Sequence, residues 1–174
     1  INLPQLGLYQ IQQWLQKRGV PFEFPCQDRQ VRGCLVAYRG TGAVFIDGSD
    51  PQDERRFTLA HEVSHFLLDY HLPRHRARQQ LGSNILDVLD GLRPPTVEER
   101  VDGLLSLVSV APHVHLLENQ GDGSFVHARV WHAENRADQL AIELLAPLQA
   151  VYSDLTAAGR TAVEPGTARS GRSR

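Results

Sequence analysis

A chain of 174 residues with 41% hydrophobic residues suits one domain with a real core. Its net charge of −2 offers nucleic acid no overall attraction, so direct nucleic-acid binding is not expected. No apolar run approaches the ~20 residues that span a membrane and no signal peptide is visible, so a cytoplasmic protein without membrane contact is expected.

The basic residues are nearly all Arg, with Lys17 the only Lys, a bias that fits GC-rich coding better than a function. The two cysteines, Cys26 and Cys34, are too few for a zinc ribbon and are expected to be a reduced pair. A chain that begins at Ile1 and contains no Met is expected to be an excised or incomplete piece.

Leu8 to Arg18 reads as a short amphipathic helix with Leu8, Ile11, Trp14 and Leu15 on one side and Gly19 at its end. An extended link follows over Val20 to Pro25. Two strand-like runs come next, Gly33–Tyr38 and Ala43–Asp47, joined by the Gly-containing loop Arg39–Gly42. A free edge of this hairpin can hold a peptide extended.

Asp53 to Tyr70 contains no Pro and no Gly and predicts a helix, with Asp50 as N-cap and Pro51 at its first position. Asp53 and Glu54 then sit in the first turn, where the helix dipole favours negative charge. Phe57, Ala60, Ser64 and Leu67 form its expected buried stripe. The helix carries the pattern H-E-x-x-H as His61, Glu62 and His65. Residues four apart lie on one face, so His61 and His65 can offer two imidazoles to one Zn2+, with Glu62 beside it as general base; Mn2+ would change only the ion.

Ala77 to Leu89 and a segment opened by Thr96-Val97-Glu98-Glu99 read as two further helices, and Arg74, Arg76 and Arg78 as a solvated face. Val114–Leu117 and Phe125–Ala128 read as strands around a Gly121-Asp122-Gly123 turn. A final helix runs from about Trp131 to about Ala158, with a break expected at Pro147. The tail 159–174 is nearly devoid of apolar residues and is expected to be disordered.

A catalytic zinc usually needs a third protein ligand. The downstream choices are His113, His115, His127, His132, Glu134, Asp138 and Glu143. Glu134 precedes the small residues Ala137 and Ala141 by three and seven, so it lies on an inward helix face, and Asp138 is one turn further on. Tyr70, His71, His115 and His132 are the choices for an oxyanion donor.

Two blocks, Arg56–His65 and Glu134–Pro147, together resemble the ImmA/IrrE-type metallo-endopeptidases. The second is similar to that family's E-x-x-A-N-x-F-A-x-x-L-L-M-P helix. Asp138, Leu140 and Ala146 depart from it, and Ser64 stands where Gly or Ala is commoner. The resemblance implies an α+β, compact zincin-like (gluzincin-type) core over residues 1–158, a small sheet packed on helices with the H-E-x-x-H helix central. It implies His61, His65 and Glu134 as zinc ligands, Glu62 as base, and a bacterial, phage or mobile-element protein. Such a protein cuts a helix-turn-helix repressor and switches on stress-response or mobile-element genes. Asp138 is then expected to orient a neighbour by hydrogen bonding. The segment 71–130 is a long insert between the ligand helices. A non-catalytic, zinc-stabilised module that binds a protein partner is the alternative.

Overall fold

The structure is a computed structural model that describes residues 1–25, 27–101, 112–117 and 128–157. Four strands form one sheet in the order β1 (Asn2–Leu3), β3 (Thr41–Asp47), β2 (Gly33–Tyr38), β4 (His113–Leu117). β1 runs parallel to β3, and the other two pairings are antiparallel. β2 and β3 are joined by a two-residue turn, shorter than the expected loop. Its residues Arg39 and Gly40 both have positive φ, 49° and 80°, as the tight hairpin turn requires.

β2 is central in the sheet and is buried on both faces. Cys34 and Val36 face α1 (Leu8–Lys17), whose buried Leu8, Ile11 and Leu15 complete a cluster with Phe45. Trp14 sits edge-on to Phe45 at 5.1 Å. Gly33, Leu35 and Ala37 face the other way, toward α2 (Gln52–His65) and Tyr70. Burial, with the Glu62 charge as a smaller cause, pushes the Cys34 thiol well above its usual range, so it stays neutral and packs as an apolar group.

α2 begins after Pro51, with no side-chain cap from Asp50. Its buried face also differs from the expected stripe. Phe57 is exposed, while Thr58, Ala60, His61, Glu62, Ser64 and His65 are buried. Ala60 and Ser64 of the expected stripe are buried and Phe57 is not, because the inward face of this helix is largely polar. The helix continues as a π-helical turn over Phe66–His71, where the Leu72 N–H bonds the Leu67 carbonyl, and then as α3 (Leu72–Leu81). Pro73, which has no N–H to give, sits where the ladder returns to α-helical register.

Gly82, with φ 82°, breaks the expected Ala77–Leu89 helix into α3 and α4 (Ile85–Leu89). α5 (Val97–Val101) opens with Thr96 as cap. The Glu99 N–H donates to Thr96 Oγ1 (3.3 Å), and the Thr96 N–H donates to Glu99 Oε2 (2.7 Å).

Arg74 is not part of a solvated face. Its side chain is 8% exposed and pairs with Asp90 at 2.9 Å, under the Tyr70 ring. Removing one partner strands a buried charge. Asp90→Ala is therefore expected to cost about 3 kcal/mol in a urea melt, whereas Arg76→Ala, at an exposed site, should cost little.

α6 (Ala128–Leu145) packs along α2, and α7 (Leu148–Ala157) follows a break at Pro147. α6 starts earlier than expected and includes Ala128. Ala137 and Ala141 are fully buried and allow the two helices to approach closely. The expected strand residues Phe125 to His127, the Gly121–Gly123 turn, Cys26 and the tail lie outside the described residues. Among the described residues no helix is long and apolar enough to cross a membrane.

Candidate metal centre

His61 and His65 project from one face of α2, both almost fully buried. Their Nε2 atoms lie 3.1 Å apart. Glu134 reaches them from α6, with Oε2 at 3.4 Å from His61 Nε2 and 3.7 Å from His65 Nε2. Three ligands of one tetrahedral ion with bonds of 2.0–2.2 Å stand about 3.4 Å apart. The observed triangle brackets that value.

The outer nitrogens settle the tautomers. His61 Nδ1 donates to Asp138 Oδ1 at 2.9 Å, and His65 Nδ1 donates to Asp69 Oδ2 at 2.7 Å. With those protons assigned by their carboxylate partners, each neutral ring presents a lone pair at Nε2. Two lone pairs facing each other beside a carboxylate oxygen repel unless a cation or a proton lies between them. The donor set therefore fits a divalent ion with imidazole and carboxylate preferences, zinc among them.

The ionisation balance has the same sign. Burial lowers the His65 pKa, but its bonds to Asp69 and Glu134 outweigh that and raise it overall. Burial raises the Glu134 pKa, and its contacts with His115, His61 and His65 reverse this and hold it far below the carboxylate range. Metal binds neutral imidazole, so it competes with the proton for the same nitrogen.

Glu62 is fully buried beside this triangle. Its Oε2 accepts a hydrogen bond from His115 Nδ1 at 3.1 Å. Its Oε1 has no partner among the described residues. Gly33 on β2 explains how the carboxylate fits. A Cβ there would lie 2.9 Å from Glu62 Oε1 and 2.6 Å from the Thr58 methyl.

His115 joins the cluster through strand register. It pairs across from Leu35, so it points to the α2 face of the sheet. Its Nε2 donates to Glu134 Oε1 at 3.0 Å. Burial opposes its charge, but the bonds to Glu134 and Glu62 raise its pKa to about 9. His61, His65, His115 and Glu134 form a group that could hold a metal ion. Within it, His115 is stacked on His65 with ring centres 3.7 Å apart and planes inclined by 22°. Such planes meet far beyond a metal–nitrogen bond of ~2.0–2.1 Å. One ion cannot lie in both ring planes, so His65 and His115 cannot share it in this arrangement. His61 and His65, inclined by 65°, can.

The other expected residues divide. Asp138 sits on His61, an orienting role. Tyr70 is turned away: its hydroxyl accepts the Gly40 N–H at 2.8 Å and its ring packs under the hairpin. His71 is exposed and faces His75, and His132 is exposed against Trp131. Asp69 was missed, although it lies four residues after His65 on a helix, the spacing that puts two side chains together.

Residues 17–86 match a peptidase family profile, the IrrE N-terminal-like domain. This stretch is similar to the ImmA/IrrE family. It runs from the end of α1 into α4 and holds His61, Glu62 and His65, so the resemblance carried by the Arg56–His65 block is borne out. A match to that family over this stretch points to a peptidase. The match stops before β4 and α6, so His115, Glu134 and Asp138 rest on geometry and on the second motif block. No curated protein and no solved structure matches the chain.

Proposed function

We propose that the chain is a zinc-dependent endopeptidase, with His61, His65 and Glu134 holding the metal and Glu62 acting as general base. The convergence of His61 Nε2, His65 Nε2 and Glu134 Oε2, next to the unpartnered Oε1 of Glu62, carries this reading. Zinc held by His61, His65 and Glu134 would supply a Lewis acid for the scissile carbonyl and would lower the pKa of water from about 15.7 to about 7.

The chain's own groups do the rest. Glu62 Oε1 takes a proton from the attacking water and passes it to the leaving amine. Asp138 and Asp69 keep the Nδ1 protons of His61 and His65 in place and so fix the ring orientations. Gly33 leaves room for the base. Among the described residues β4 is the sheet edge nearest the site, and an extended substrate segment can pair along it.

The substrate we propose is a helix-turn-helix repressor, cut in the cytoplasm to release stress-response or mobile-element genes. The ImmA/IrrE resemblance supports it. Co-expression with a helix-turn-helix repressor taken from a neighbouring gene should yield a shortened repressor, and a chelator should keep it whole. A repressor that stays whole in a stable complex with this chain would replace the enzyme with a binding module.

A further inference from the structure

We propose that His115 is a positioning residue, a clamp that fixes the third metal ligand and the general base together. The inference rests on the metallopeptidase reading. His115 comes from β4, outside the matched segment, and is delivered by register against Leu35.

Its two ring nitrogens serve two different carboxylates. Nδ1 donates to Glu62 Oε2 at 3.1 Å and Nε2 donates to Glu134 Oε1 at 3.0 Å. The oxygens of Glu134 thereby acquire separate duties. Oε2 faces the two Nε2 atoms of α2, and Oε1 is held by His115. A carboxylate with one oxygen engaged in this way offers a metal the other oxygen alone. Released, it can rotate and offer both.

Glu62 is divided in the same manner. Its Oε2 is held, and Oε1 is left as the acceptor. One imidazole thus selects the ligating oxygen of Glu134 and the proton-accepting oxygen of Glu62. Its stack on His65 fixes the ring tilt, and the ring planes keep it from being a ligand itself. A structural filler would need neither of the two directed bonds.

The two bonds can be tested separately in the full-length chain. In His115→Gln an amide nitrogen can take the place of Nε2 and keep Glu134. In His115→Asn an amide nitrogen stands near the place of Nδ1 and cannot reach Glu134. Zinc affinity is read by competition with a chromogenic chelator, and coordination by the visible absorption of the cobalt(II)-loaded protein. His115→Asn should weaken zinc binding about 10- to 100-fold and dim the cobalt band, as Glu134 adds its second oxygen. His115→Gln should keep both but lower kcat, not KM, on a quenched fluorogenic peptide mixture, as Glu62 loses its holder.

Leu116→Ala, which disturbs the same strand, is the control. Wild-type zinc affinity and cobalt spectrum in His115→Asn would overturn the clamp. So would equal losses in Leu116→Ala, or loss of fold in both His115 variants, since each would make the residue structural. A folded wild type that binds no zinc would instead sink the metallopeptidase reading on which the clamp rests.

Discussion

Glu62→Gln is expected to leave a folded, metal-loaded protein that no longer cleaves. The amide has the shape of the carboxylate but cannot accept a proton. A missing general base costs roughly 10²-fold or more in rate. The fold should tolerate the change. Glu62 Oε1 has no partner to lose, and Oε2 has His115 alone among the described residues. His115 loses the charge of one carboxylate partner but keeps Glu134 as the other, so the fold should persist with at most a modest fall in melting temperature. Metal content should not change, because Glu62 lies outside the ligand triangle. The measurements are substrate turnover, elemental analysis and a thermal melt on the same preparation. Cleavage at the wild-type rate would remove Glu62 from the chemistry.

His65→Ala should have the second large effect, on metal and stability together. The variant removes one corner of the triangle and leaves Asp69 without its donor. A ligand that binds only the folded state stabilises it by about 2.7 kcal/mol at a hundred times its dissociation constant. For a domain of this size each kcal/mol moves the melting temperature by about 2–4 °C. Chelating the wild type should therefore lower its melting temperature by about 5–10 °C under those conditions. His65→Ala should already melt in that lower range and should not respond to chelator. A chelator response as large as that of the wild type would mean that the ion sits elsewhere.

The parts of this site that could be read in the sequence were local. His61, Glu62 and His65 are set by helical spacing. The hairpin is set by alternation and by a turn that tolerates positive φ at Arg39 and Gly40. Glu134 followed from its distance to Ala137 and Ala141 together with the family motif. The parts that failed depend on contacts between distant segments. His115 could be named as a histidine near the site, but its two bonds follow from the pairing of β4 with β2. Arg74 looked like one charge in a run because Asp90 lies beyond the Gly82 break. Phe57 failed for another reason. Hydrophobic periodicity assumes that the buried face of a helix is apolar, and α2 buries histidines and a glutamate.

Tyr70 lies in the π-helical turn that follows α2. Five residues from His65, it would stand about 140° off the ligand face even on an unbroken α-helix. It packs under the hairpin, where its hydroxyl accepts the Gly40 N–H. The same turn contains Asp69, bonded to His65. π-Turns are frequent at functional sites, and nothing in the composition of Phe66–His71 announces this one.

The most direct test is the metal content of the purified protein, read by elemental analysis for the wild type and for Glu134→Ala side by side. The account predicts close to one equivalent of zinc in the wild type and far less in Glu134→Ala, with both folded by circular dichroism. A folded wild type without metal, or a Glu134→Ala protein that keeps its full equivalent, would contradict it.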